Sequence, residues 1–166
     1  MPQIIKNRAI VDDNWIHVDA DASDLPEGDI PEGDIIVPLG LWQDRRSELL
    51  ERSGRLGVRL APDQQPSLIA DDLSHFDVVA FEFPAFKDGR AFSHARVLRE
   101  RYGYKGEVRA VGDVARDQIF FMARCGFDAY EVKEGRSLED ALKAFEDFSV
   151  TYQPAADDSR PFFLRS

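Results

Sequence analysis

Chemically active side chains concentrate between Glu82 and Glu131, where the sequence pattern predicts junctions between strands and helices. In parallel α/β proteins, ligands bind beyond the carboxyl ends of the strands, so carboxylates at these junctions could transfer protons. Four acidic residues are therefore candidate catalytic groups: Glu82, Asp88, Asp113 and Asp117. Asp113 has a structural alternative, because an acid placed after Gly112 at a helix start is also a good N-cap.

The same region carries an excess of arginine. Residues 90–124 contain eight basic and four acidic residues, whereas the whole chain has a formal net charge of −10. Guanidinium groups bind carboxylates and other oxyanions through two parallel hydrogen bonds, so the segment is a candidate site for a small anion or for an acidic partner. The anion-binding candidates are Arg90, Arg99, Arg109, Arg116 and Arg124. The alternative is that these charges are solvated or paired on helix faces.

Metal and cofactor signals are weak. Glu82, Asp113 and Glu131 end three predicted strands and could hold a hard divalent cation such as Mg²⁺ if they faced one crevice. The three histidines are far apart in sequence and suggest no site, and the single cysteine, Cys125, is expected to be a buried, inert thiol. Dinucleotide and phosphate-binding glycine motifs are absent from the sequence, so we identify no cofactor.

Composition and charge narrow the class of protein. A chain of 166 residues fits a single domain, 1–166, with a substantial core. Its acidic balance argues against nucleic acid and anionic membranes as partners. No apolar run approaches the roughly 20 residues that span a bilayer, and the N-terminus lacks a signal-peptide core. We therefore expect a cytoplasmic protein.

The chain divides into four segments. Residues 1–18 are predicted to form a β-hairpin that turns at Asp12–Asn14, and residues 19–34 an acidic linker with a tandem PEGDI repeat. Residues 35–150 alternate between strand and helix patterns, and residues 151–166 form a tail whose apolar end could dock on the body or on a second subunit of a homodimer. The expected fold is α/β. It has a mainly parallel sheet of about five strands with flanking helices, either an open flavodoxin-like sheet or an incomplete TIM-like barrel.

Hydrophobic periodicity and turn residues set the expected element boundaries. The predicted core strands are Ile35–Leu39, Val58–Ala61, Asp77–Phe83, Glu107–Val111 and Asp128–Val132. The predicted helices are Trp42–Ser53, Phe92–Tyr102, Val114–Cys125 and Ser137–Phe148. Residues 62–74 are predicted to be a loop with at most one helical turn.

The region from residue 35 to residue 150 resembles a proteobacterial domain family of unknown function, most strongly over residues 82–131. The residues that carry the resemblance include Phe83, Pro84, Phe86, Asp88-Gly89-Arg90, Ser93, Leu98-Arg99, Arg101, Gly103, Gly106, Arg109-Ala110, Gly112-Asp113-Val114, Asp117-Gln118, Met122, Arg124 and Gly126-Phe127-Asp128. Members are commonly labelled oxidoreductases involved in sulfite reduction, because they occur beside sulfite reductase. The resemblance supplies no catalytic residues.

The resemblance implies a role in sulfur assimilation, with sulfite reductase or another enzyme of that process as a partner. Sulfite reduction moves six electrons through haem and iron–sulfur chemistry, and this sequence has no ligand set for either. An accessory protein that binds the reductase or a sulfur oxyanion is therefore the first hypothesis. A small α/β enzyme acting on an anionic substrate at a carboxylate and arginine crevice is the second, and a non-catalytic structural or interaction module is the third.

Overall fold

The computed structural model describes residues 3–18, 30–83, 90–114, 116–132, 138–139 and 141–143, with backbone alone for residues 116 and 117. Eight strands within these residues belong to a single sheet. They are β1 (Gln3–Lys6), β2 (Ala9–Asp12), β3 (Ile16–His17), β4 (Ile35–Pro38), β5 (Leu56–Leu60), β6 (Val78–Phe83), β7 (Glu107–Gly112) and β8 (Ala129–Tyr130). Between residues 39 and 125, the described helices are α1 (Leu39–Asp44), α2 (Arg46–Glu51), α3 (Arg90–Glu100) and α4 (Arg116–Cys125), with a 3₁₀ segment at Pro66–His75.

The sheet is mixed, and its strand order is β2-β1-β8-β7-β6-β5-β4-β3. β1 runs antiparallel to both of its neighbours, β2 and β8. From β3 to β8, each strand pairs in parallel with the next strand along the chain. The predicted fold class is therefore wrong: the sheet has eight strands rather than about five, and the N-terminal hairpin is part of it.

Neither of the two predicted architectures describes this sheet. A flavodoxin-like sheet reverses its strand order at a switch point, whereas β3 to β8 follow one another without reversal. A parallel partial barrel does not describe it either, because the antiparallel β1 joins β8 to β2 and the whole sheet curls as a mixed half-barrel. The sequence pattern missed β1 and β8 as partners because they are 123 residues apart and pair through only two residues each.

The short link between the two edge strands requires the sheet to curl. The two edge strands, β2 and β3, are joined by residues 13–15 alone. In a flat sheet of eight strands the edges would lie roughly 34 Å apart. Three linking residues span at most about 14 Å. The sheet must therefore curl until its two edges approach each other.

The N-terminal turn also differs from the prediction. The hairpin turns at Asn7 and Arg8, which have φ values of 52° and 64°, and not at residues 12–14. Two successive residues with positive φ are typical of the tight turns that match the twist of paired strands. The predicted second hairpin strand, 15–18, contains β3, which pairs with β4 at the opposite edge of the sheet.

The outer face of the sheet carries the main core. Alternate residues of the central strands, such as Val58, Val79 and Val108, are fully buried beneath the helices. α1 packs against β4 and β5, and α3 packs against β6 and α4. The predicted helix 42–53 is instead two short helices, α1 and α2, which meet at Arg45.

The inner, concave face has a smaller apolar cluster formed by Trp15, Ile36, Val78, Ala80 and Val111. Other inner positions carry charged side chains, among them Arg59, Glu82, Glu107 and Arg109, which is unusual for strands that are covered on both faces. These charged positions form the candidate site.

The remaining predicted segments differ from the structure or lie partly outside the described residues. Residues 62–74, predicted to be mostly loop, contain most of the 3₁₀ segment. Residues 138–139 and 141–143 are helical, whereas the rest of the predicted helix 137–148 lies outside the described residues, as do positions 19–29 of the linker and the tail 151–166. Within the described ranges, no helix is long and apolar enough to cross a membrane.

Gly112 ends β7 in a conformation that only glycine adopts easily. Its φ is +92°, and a Cβ built on it would lie 2.5 Å from the carbonyl oxygen of Phe83. We expect Gly112→Ala to lower the free energy of unfolding by roughly 1–3 kcal/mol. Urea denaturation followed by circular dichroism measures this change.

Gly40 provides the matched control, because it lies in α1 and a Cβ there meets nothing within 4 Å. Gly40→Ala should leave stability unchanged or raise it by up to about 1 kcal/mol, since alanine favours helices. Equal effects of the two substitutions would contradict the strained role of Gly112.

Candidate functional site

A cavity of about 430 Å³ opens at the carboxyl ends of the parallel strands, on the concave side of the sheet. Its lining residues come from β3, β5, β6 and β7 and from the segments that follow β5 and β8: His17, Arg59, Pro62, Glu82, Phe83, Val111, Gly112 and Glu131. The volume lies in the range of small-molecule sites. Four of the lining side chains are ionisable and bond to one another.

Arg59 is the centre of the cavity wall. It projects inward from β5, and its Nε donates a hydrogen bond to Glu82 Oε2 at 2.8 Å. One terminal nitrogen lies 3.0 Å from Nδ1 of His17, and the other donates to the carbonyl of Val18 at 3.3 Å. Arg59 thereby joins β5 to β6 and to the sheet edge at β3.

The contacts of His17 define its tautomer. A guanidinium can only donate hydrogen bonds, so Nδ1 of His17 must accept from Arg59. The ring proton is therefore on Nε2, which lies 2.7 Å from Glu131 Oε2 and donates to it. In this arrangement His17 is held between an arginine and a carboxylate.

Beneath the cavity, Arg109 is buried within the curled sheet, with its side chain 1% exposed. Its Nε donates to Glu107 at 2.7 Å, and one terminal nitrogen lies 3.0 Å from Asp13 and 2.8 Å from Glu131. Burial alone would lower the pKa of Arg109, but the surrounding carboxylates, Glu107 foremost, raise it above its ordinary value. A buried cation with several carboxylate partners is the arrangement expected for a structural charge.

Glu131 connects the two arginines through shared contacts. Its Oε2 accepts from His17 and from Arg109. Burial alone would raise the pKa of Glu131, but the hydrogen bonds from His17 and Arg109 outweigh it and hold the pKa below its ordinary value. The Glu131 carboxylate is therefore ionised in the folded protein at neutral pH.

We call the connected set the inner charge network. It contains three cations, Lys6, Arg59 and Arg109, and four carboxylates, Asp13, Glu82, Glu107 and Glu131. Apart from His17, the network therefore has one more carboxylate than cations. The carboxylate of Glu82 is its most exposed acid, with 39% of the side chain accessible at the cavity.

The acidic candidate residues lie in different parts of the chain's structure. Glu82 and Glu131 line the cavity, whereas Asp113, the half-buried residue after Gly112, is not among its lining residues. Asp88 lies outside the described residues, and only the backbone is described at Asp117. Among the described residues, no group of three or more His, Cys, Asp or Glu side chains could hold a metal ion.

The arginine candidates occupy different places. Arg109 is buried below the cavity, Arg90 is exposed at the start of α3, and Arg124 lies over the Phe120 ring at 5.9 Å. Only the backbone is described at Arg116. None of the described candidates lines the cavity, where the arginine is Arg59.

Arg99 fastens loops to the body of the domain. It donates to the carbonyl oxygens of Tyr104 and Gly106 at 2.8 Å and of Gly126 at 3.0 Å, and it lies 3.5 Å from Asp128. Burial lowers its pKa. Its contacts explain its position without any ligand.

Five members of the network were not among the residues that the sequence analysis proposed: Lys6, Asp13, His17, Arg59 and Glu107. Arg59 carries a detectable signal, because it interrupts the apolar pattern of β5, LGVRL, at an inward position, as Arg109 does in β7. His17 and Asp13 carry no local signal. The Cys125 thiol is buried and burial raises its pKa, as expected for an inert thiol.

The fold and the cavity define the class of protein: a small α/β protein with a curled mixed sheet and an ionisable crevice at its parallel strand ends. A comparison with protein families matches residues 57–163 to DUF934, described as a bacterial protein of unknown function. The match covers more than half of the chain, so the protein belongs to this family. A comparison with curated proteins finds no match.

Removing the guanidinium of Arg109 should destabilise the fold strongly. Arg109→Met would leave three carboxylates without their shared cation, and breaking a buried ion pair costs about 3–5 kcal/mol. The free energy of unfolding from urea denaturation measures this loss. As a control, Arg101→Met removes an exposed arginine and should change stability by less than about 0.5 kcal/mol. Similar small losses in both variants would contradict the central role of Arg109.

The depressed pKa of Glu131 predicts a pH dependence. Its ionised carboxylate stabilises the fold above its ordinary pKa of 4.5, and this stabilisation is lost as the pH falls through the lower folded value. Glu131→Gln removes this titration. Between about pH 6 and pH 3, its free energy of unfolding should therefore fall less steeply than that of the wild type. The exposed-site control Glu51→Gln should follow the wild type, and parallel curves for wild type and Glu131→Gln would contradict the assignment.

Proposed function

We propose that this protein is an accessory protein of assimilatory sulfite reduction and that it binds a small polar molecule of that process in the cavity. The pathway part rests on the sequence resemblance over residues 35–150. The observation that supports the binding part is the convergence of His17, Arg59, Glu82 and Glu131, from distant parts of the chain, on one cavity. Such a crevice, with few and well-oriented polar groups, is typical of ligand sites.

The geometry favours the cavity over the arginine-rich segment as the functional part. Arg99 and Arg109 donate to protein acceptors that fully account for their burial. Glu82, by contrast, combines a fixed position beside Arg59 with substantial exposure to the cavity. Of the four ionisable side chains that line the cavity, Glu82 is the most accessible to a ligand.

A genetic experiment tests the pathway and the cavity together. Deletion of the gene should slow growth when sulfate or sulfite is the sole sulfur source and leave growth on sulfide or cysteine unchanged. A copy with Glu82→Gln should fail to restore growth, because it removes the exposed carboxylate of the cavity. Equal soluble amounts of each variant must be shown by immunoblotting.

Glu51→Gln is the matched control, since it makes the same charge change at an exposed position in α2. It should restore growth fully. Wild-type growth of the deletion strain on sulfite would refute the proposed pathway. Full complementation by Glu82→Gln would refute the functional role of the cavity.

A second candidate function is catalysis of proton transfer on a small substrate. The observation that favours it is the chain from Glu131 through His17 and Arg59 to the accessible Glu82 carboxylate, in which each group orients the next. The same complementation assay separates the two functions when expression is titrated. An enzyme should restore growth far below the level of the reductase, whereas a stoichiometric partner should require comparable amounts.

A further inference from the structure

We propose that the ligand of the cavity is a small zwitterion with an ammonium and a carboxylate group on neighbouring atoms, as in an α-amino acid. This inference rests on the proposed function only in taking the cavity as a small-molecule site. It is argued from the charges of the cavity wall and does not depend on the pathway.

The cavity wall presents a positive and a negative group side by side. Arg59 and Glu82 lie on the adjacent strands β5 and β6, with Nε and Oε2 2.8 Å apart. An α-amino acid carries the complementary pair in the same close arrangement. Its carboxylate can bind the guanidinium and its ammonium can bind the Glu82 carboxylate, so one ion pair is exchanged for two.

The charge balance disfavours a simple anion. Apart from His17, the inner charge network has one more carboxylate than cations, and two of its carboxylates, Glu82 and Glu131, line the cavity. Glu82 is also far more accessible than Arg59, with side-chain exposures of 39% and 11%. An oxyanion would therefore approach a wall whose most accessible charge repels it.

A simple cation fits less well than a zwitterion for the opposite reason. A cation that reached Glu82 would compete with Arg59 and would lie beside its positive charge. A zwitterion adds no net charge and gives each wall group an opposite partner. The apolar lining from Pro62 and Val111 leaves room for a small side chain within about 430 Å³.

The experiment is a titration of the full-length, ¹⁵N-labelled protein by NMR with three probes of similar size: L-alanine, propionate and ethylammonium. L-alanine should shift the backbone amides around Val111, Gly112 and Glu131. It should bind at least about tenfold more tightly than either singly charged probe, because it makes two charge-assisted contacts. Assigned chemical-shift changes give both the location and the dissociation constant.

Glu82→Gln separates the two contacts. It should weaken L-alanine binding by about tenfold and leave propionate binding unchanged or tighter, because the partner of the ammonium is lost while Arg59 remains. Glu51→Gln, with the same charge change outside the cavity, should bind all three probes as the wild type does.

Three results would overturn the proposal. Propionate binding as tightly as L-alanine would identify a carboxylate site, and ethylammonium binding as tightly would identify a cation site. The absence of cavity shifts at about 50 mM L-alanine, well above a millimolar affinity, would also refute it. A growth defect on sulfite without L-alanine binding would refute only the proposed ligand class. L-alanine binding without a growth defect would refute only the proposed pathway.

Discussion

The buried guanidinium of Arg109 is the interaction on which the rest of the structure depends. Moving a charge out of water costs several kcal/mol unless opposite charges and hydrogen bonds replace the water. The replacements come from three places: Glu107 on the same strand, Glu131 after β8, and Asp13 between the two sheet edges. Because Asp13 lies in the link that joins those edges, the carboxylates can meet Arg109 together only when the sheet is curled.

The buried ion cluster around Arg109 fixes the geometry of the cavity. Glu131 accepts hydrogen bonds from Arg109, below the cavity, and from His17, in the cavity wall. Its carboxylate is therefore held in place without any ligand. His17 then orients Arg59, and Arg59 orients Glu82. The exposed carboxylate is therefore the last member of a hydrogen-bonded chain that begins in the interior, and a site of this kind is preorganised for its ligand.

The parts of the structure that sequence reasoning recovered are those with local causes. The strand predicted at 77–83 contains β6, and the strand at 107–111 nearly coincides with β7, because apolar runs and bounding turns lie within each segment. The carboxylates that end them could therefore be placed near strand ends. The curl could not be predicted, since it joins residues 114 positions apart in the contact of His17 with Glu131.

The segment that defines the family is not sufficient to build the cavity. It begins at residue 57 and contains five members of the inner charge network: Arg59, Glu82, Glu107, Arg109 and Glu131. Lys6, Asp13 and His17 precede it. Without Asp13, Arg109 would lose one of its three carboxylates, and without His17, the hydrogen-bonded path from Glu131 to Arg59 would be broken. The N-terminal strands therefore complete the site chemically as well as closing the sheet around it.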